Sequence, residues 1–85
     1  MRAILQPAAV KALAAVPKKD RAGLLRKLEQ FAADPFAPNP SAKPLKGQPQ
    51  VVRVRQGDWR AVCRIDRANE TVIIEAIGNR REIYR

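Results

Sequence analysis

Val51-Val52-Arg53-Val54-Arg55-Gln56-Gly57-Asp58-Trp59-Arg60-Ala61-Val62 is the stretch that decides the fold of this 85-residue chain. Arginines alternate with β-branched residues, so Gln50 to Gln56 reads as a strand. Its guanidinium groups lie on one face, together with Val51, and Val52 and Val54 lie on the other. Gly57-Asp58 is short enough for an antiparallel hairpin. Trp59 to Asp66 is then a second strand, opened by an aromatic residue and an arginine. Arg67-Ala68-Asn69-Glu70 links it to a third, Thr71 to Ile77. Ile83-Tyr84 is placed as a short final strand.

Upstream the period changes. Arg2 to Gln6 is a short apolar stretch that suits a first strand, and Pro7 suits the first turn of a helix. Ala8 to Val16 carries Val10, Leu13 and Ala14 on one side, and Pro17 ends it. Lys18 to Ala33 is a second helix, with Leu24, Leu25, Leu28, Phe31 and Ala32 at helical spacing. Lys18, Lys19, Arg21, Arg26 and Lys27 decorate its other side. Asp34 to Pro49 holds five of the seven prolines and reads as a stiff loop from helices to sheet. The expected fold is α+β in the order β-α-α-β-β-β(β). An N-terminal helical hairpin packs on one face of a mostly antiparallel sheet. The expected core is Val10, Leu13, Leu24, Leu28, Phe31, Cys63, Ile65, Val72 and Ile74, within a single domain spanning residues 1–85.

Seventeen Lys and Arg against eight Asp and Glu give a net charge of +9. Such an imbalance points to an acidic partner: nucleic acid, an anionic membrane or an acidic protein. Histidine is absent. Ser-His-Asp chemistry, histidine metal sites and the usual histidine acid–base pair are therefore excluded. The lone Cys63 sits in an apolar strand and reads as a small buried hydrophobe. Trp59, beside a turn, reads as a cap on the core rather than a base-stacking platform. No apolar run is long enough to span a bilayer and no signal-like segment opens the chain, so the expected location is the cytoplasm.

If the strands pair in sequence order, Arg53, Arg55, Arg60, Arg80, Arg81 and Tyr84 converge on the sheet face that the helices leave open. Arginine's planar fork of donors matches phosphate, and tyrosine adds a ring and a hydroxyl. The set points to a polyanion site, with RNA as the favoured ligand.

Three runs then carry a resemblance. Lys43-Pro44-Leu45-Lys46-Gly47, Val52 to Val62, and Ile77-Gly78-Asn79-Arg80-Arg81-Glu82-Ile83-Tyr84 together resemble the RelE/ParE toxin superfamily, closest to its RelE-type branch. The resemblance implies the toxin of a type II toxin–antitoxin system. Its activity would be ribosome-dependent endonucleolytic cleavage of mRNA, by attack of a ribose 2′-hydroxyl on the adjacent phosphate, with no metal or other cofactor. It implies catalytic roles for Arg53, Arg55, Arg60, Arg80 and Tyr84. Lys43, Lys46, Arg81, Lys18, Lys19 and Arg26 are read as contacts to RNA or ribosome. Many relatives have histidine where this chain has Asn79, and RelE-type enzymes often have lysine where it has Arg53 and Arg55. An arginine cannot give up its proton, so the general base is unassigned. Glu82 reads better as a charge partner of Arg80 or Arg81.

Two other readings stay open: a ParE-type toxin acting on DNA gyrase, and a non-catalytic basic RNA-binding module. The expected partners are ribosome and mRNA, and an acidic antitoxin in a hetero-oligomer. The antitoxin would lay an amphipathic segment among Val51, Val62, Ile73 and Ile77 and set carboxylates against Arg53, Arg60 or Arg80. It could also wrap the helices at Lys18, Arg21 and Arg26.

Overall fold

Pro7 stands at the start of helix α1 (Pro7–Ala15), where its fixed φ fits and its missing N–H costs nothing. Before it, β1 (Arg2–Leu5) is a four-residue strand. Pro17 separates α1 from α2 (Lys18–Ala33). Arg21 of α2 turns back across this corner. Its Nη2 donates to the carbonyls of Ala14 (3.2 Å) and Val16 (3.1 Å), which the end of α1 leaves without helical donors. The structure, a computed structural model, describes residues 1–80.

The remaining strands are β2 (Ala42–Leu45), β3 (Gln48–Gln56), β4 (Trp59–Asp66) and β5 (Thr71–Asn79). They form a sheet in the order β1-β5-β4-β3-β2, antiparallel except for the β1–β5 pair. The α+β architecture with N-terminal helices on one sheet face is as expected. Gly57 has φ +57° at the β3–β4 turn, a left-handed value that a Cβ would make costly.

Both helices cover the same sheet face. Leu24, Leu28, Phe31 and Ala32 of α2 and Ala9 of α1 meet Val52 and Val54 of β3, Ala61, Cys63 and Ile65 of β4, and Val72, Ile74 and Ile77 of β5. Trp59 is half-buried against this cluster, the core-capping role expected of it. Gly23 of α2 faces the flexible side chain of Gln56 on β3. A Cβ built there would fall 2.5 Å from the Gln56 side-chain amide nitrogen.

Four expectations need correction. Asp34 to Pro49 is not all loop: Ala42–Leu45 is an edge strand paired with β3, and β3 itself begins at Gln48. Pro44 hides this strand from the sequence because proline is usually a strand breaker. At an edge its missing N–H can face outward, so it is tolerated. Second, Val10 is 54% exposed, and α1 instead buries Ala9. A short helix whose apolar residues are mostly alanines gives a weak phase signal. Third, Leu13 is only half-buried at the margin of the core. Fourth, Ile77 does not share the open face with Val62 and Ile73. Val62 pairs with Ala76 but Cys63 pairs with Ile74, so β5 carries one extra residue, Glu75. That bulge reverses the alternation and sends Ile77 into the core, where it is 7% exposed. Ile83-Tyr84, the possible final strand, lies outside the described residues.

Candidate nucleic-acid interface

Strand register builds the site on the face opposite the helices. Lys43 of β2 is opposite Arg53 of β3, and Arg55 of β3 is opposite Arg60 of β4. Side chains two apart on a strand share a face. The cations of three adjacent strands are thus brought together by pairing alone. Lys43, Arg53, Arg55 and Arg60 line a small pocket of about 60 Å³ with Pro40 and Ser41. Among the described residues no carboxylate lines it, and these four cations make the pocket a concentration of positive charge.

The cations differ in setting. Arg55 is exposed, Arg53 half-buried, and Arg60 only 7% exposed. Arg60 Nη1 donates to the Gly57 carbonyl at 2.6 Å and to the Trp59 carbonyl at 3.0 Å. One arm of the guanidinium therefore braces the β3–β4 turn and holds the fork in place. Arg80 follows the end of β5, and its backbone N–H donates to the Asp58 carbonyl at 2.7 Å. This places the Arg80 backbone beside the same turn, and Arg80 is not among the residues that line the pocket.

The other expected contacts are scattered. Lys46 belongs to the β2–β3 turn, at the far end of β2 from Ser41, and does not line the pocket. Lys18, Lys19 and Arg26 are exposed on α2, away from the open sheet face. Arg81 and Tyr84, like Glu82, lie outside the described residues. Sequence reasoning passed over Ser41, whose one available signal was its place just before the Lys43 run.

Further along the open face the charge is offset. Arg64 Nε lies 3.2 Å from Glu75 Oε2, a partly exposed ion pair. Such pairs add little stability, but this one closes the cationic stripe on that side. Beyond it a larger recess of about 450 Å³ is lined by Phe36, Pro49, Ile65 and Ile73, with Arg67 stacked over the Phe36 ring at 4.2 Å. Among the described residues, no three His, Cys, Asp or Glu side chains are grouped to hold a metal.

Cys63 faces the core. Burial first, and the charge of Glu75 second, push its thiol up from 9.0 to about 12. At neutral pH it is a thiol, not the reactive thiolate. We expect a thiol-reactive dye at pH 8 to label Cys63 only as fast as the domain unfolds, and quickly in denaturant. Rapid labelling of the folded protein would contradict this burial. The raised value also sets a pH trend. The folded state holds its proton where the unfolded state has lost it, so this contribution is complete below pH 9.0. It is lost as pH rises towards about 12.

Two helices on one face of a mostly antiparallel sheet, with arginines clustered on the other, define a small basic α+β class built around one open cationic face. A sequence profile for the ParE toxin of type II toxin–antitoxin systems matches residues 3–84. The chain belongs to this toxin family. Solved structures share the fold. The isolated RelE toxin of E. coli aligns with a TM-score of 0.80 at 18% identity, covering 92% of this chain and 82% of that one. The RelBE2 toxin–antitoxin complex of Mycobacterium tuberculosis gives 0.75 at 21% identity, covering 92% and 95%. The RelE–RelB complex of Pyrococcus horikoshii gives 0.78 at 22% identity, covering 93% of each chain. At these identities the likeness is one of fold. No curated protein matches the sequence. No helix among the described residues is long and apolar enough to cross a membrane.

Proposed function

We propose that this toxin is a ribosome-dependent mRNA endonuclease that blocks translation in the cytoplasm, and that an acidic antitoxin holds it in check. The observation that carries this reading is the pocket shared by Lys43, Arg53, Arg55 and Arg60, which gathers four cations from three adjacent strands. Such a pocket suits a phosphate diester of RNA. The ribose 2′-hydroxyl attacks the adjacent phosphorus, the bond to the 5′-oxygen breaks, and a 2′,3′-cyclic phosphate and a 5′-hydroxyl result. The arginine donors act on the charge that builds on the phosphoryl oxygens in the transition state. Arg60 is pre-set for this by its bonds to the turn, and Arg53 and Arg55 complete the clamp. Arg80 approaches from the end of β5. Tyr84 is assigned to stacking on a base or orienting the 2′-hydroxyl. Guanidinium groups cannot take up the 2′-hydroxyl proton, so the general base lies elsewhere.

Two of the similar structures are described as complexes with RelB antitoxins, and we extend that partnership to this chain. The open face offers the antitoxin half-buried Val62 and Ile73 together with the cationic pocket. An amphipathic acidic segment laid there would cover the same arginines that meet RNA. Its association should be faster at low salt.

Inhibition of gyrase by a ParE-type action is the second reading, favoured by the family profile itself. One pair of assays separates them. Primer extension on mRNA held in translating ribosomes should show new 5′ ends on addition of the toxin, while supercoiling by gyrase stays unchanged. Intact mRNA with inhibited supercoiling would reverse the assignment, and binding without either effect would leave a non-catalytic RNA-binding module. Co-expression of a small acidic protein encoded beside this chain should abolish growth arrest. Failure of any such protein to bind would sink the partner reading.

A further inference from the structure

The chain passes from helix layer to sheet through Asn39, Pro40 and Ser41, and Ser41 is fixed there from three directions. Its carbonyl accepts the Arg55 backbone N–H at 2.8 Å, its own N–H donates to Asn39 Oδ1 at 2.9 Å, and its Oγ accepts from Lys27 Nζ at 2.6 Å. The bond to Arg55 continues the β2–β3 ladder by one step. Ser41 and Lys43 therefore share a face, opposite Arg55 and Arg53. Lys27 belongs to α2, which covers the other side of the sheet. Its bond to Ser41, which lines the cationic pocket, ties a charge of the helix layer to the pocket's wall.

An ammonium donates only, so the Ser41 hydroxyl keeps its own proton to give. With its oxygen already bonded to a cation, that hydroxyl is polarised as a donor. A water needs about 10–15 Å³ of such space. The 60 Å³ of the pocket thus holds a few waters, which suits a phosphoryl group and not a base.

We infer that Ser41 and Lys27 extend the site by a second phosphate contact on the RNA strand, neighbouring the phosphate clamped by the arginines. Ser41 donates its hydroxyl proton to a non-bridging oxygen. Lys27 is a positioning residue that sets the hydroxyl and adds its charge to the strand's path. The inference rests on the reading of the pocket as an RNA site.

The test is fluorescence anisotropy of a labelled single-stranded RNA of about ten nucleotides with the full-length toxin, over a range of salt concentrations. Each phosphate neutralised on a single strand contributes about 0.7 to the slope of log affinity against log salt. Lys27→Met should reduce the slope by about that amount, and Lys27→Arg should restore it. Ser41→Ala should weaken binding about tenfold with the slope unchanged, because it removes a hydrogen bond to a charged group and no charge. Ser41→Thr should retain binding. A lysine that merely anchors the loop would lower affinity without moving the slope, and that result overturns the inference. So does normal binding by both Lys27→Met and Ser41→Ala while Arg53→Ala is impaired, in which case the RNA reading stands alone. Binding that is absent in the parent, or indifferent to Arg53→Ala, removes the RNA site and the second contact with it.

Discussion

Arg60→Ala should reduce ribosome-dependent mRNA cleavage by about a hundredfold or more, the usual loss on removing one donor aimed at transition-state charge. Arg60 is nearly buried, and its Nη1 is committed to the Gly57 and Trp59 carbonyls. The fork is therefore pre-set before RNA arrives. Arg60→Lys keeps the charge but cannot reproduce a planar fork that serves the turn and a phosphate together, so it should recover only a small part of the activity. The bonds to the turn also make Arg60→Ala a structural change, and thermal melting must accompany the kinetics. Arg55→Ala is the cleaner companion, because Arg55 is exposed at the pocket mouth. Cleavage at the parental rate by folded Arg60→Ala and Arg55→Ala proteins would remove the pocket from the mechanism.

Phe31→Ala should destabilise the domain by about 3–5 kcal/mol. Phe31 is 2% exposed and among the largest fully enclosed side chains, at the junction of α2 with the sheet. Domains of this size have only about 5–15 kcal/mol of net stability, so this one truncation can leave much of the protein unfolded at growth temperature. Val10→Ala is the matched control. Val10 is 54% exposed, so its loss should change stability by less than about 0.5 kcal/mol. Urea denaturation of the two variants decides the point. Equal effects would place α1 in a different rotation on the sheet.

Much of the framework is legible in the chain without tertiary information. The alternation from Val51 to Gln56 separates Arg53 and Arg55 from Val52 and Val54, and both of these valines, unlike the equally buried Val51, belong to the core cluster under the helices. The stripe of Leu24, Leu28 and Phe31 is equally local, since four turns of helix repeat the same phase often enough to fix it. The two-residue turn at Gly57-Asp58 sets the β3–β4 register, and with it the juxtaposition of Arg55 and Arg60. The cationic cluster follows from residue types and pairing order, which is why it could be placed from sequence.

What the tertiary structure decided depends on contacts that have no local signature. Strand β2 exists because β3 has a free edge, where Pro44 loses nothing by lacking an N–H. Ile77 is buried because Glu75 bulges from the ladder, and one extra residue reverses every later side chain on a strand with a period of two. Lys27 looks like one more solvated charge on α2, and Ser41 like one more polar loop residue. They meet only where the chain crosses from the helix layer to the sheet edge. Periodicity records which face of its own element a residue occupies. Which element lies across from that face is set by packing of the whole chain.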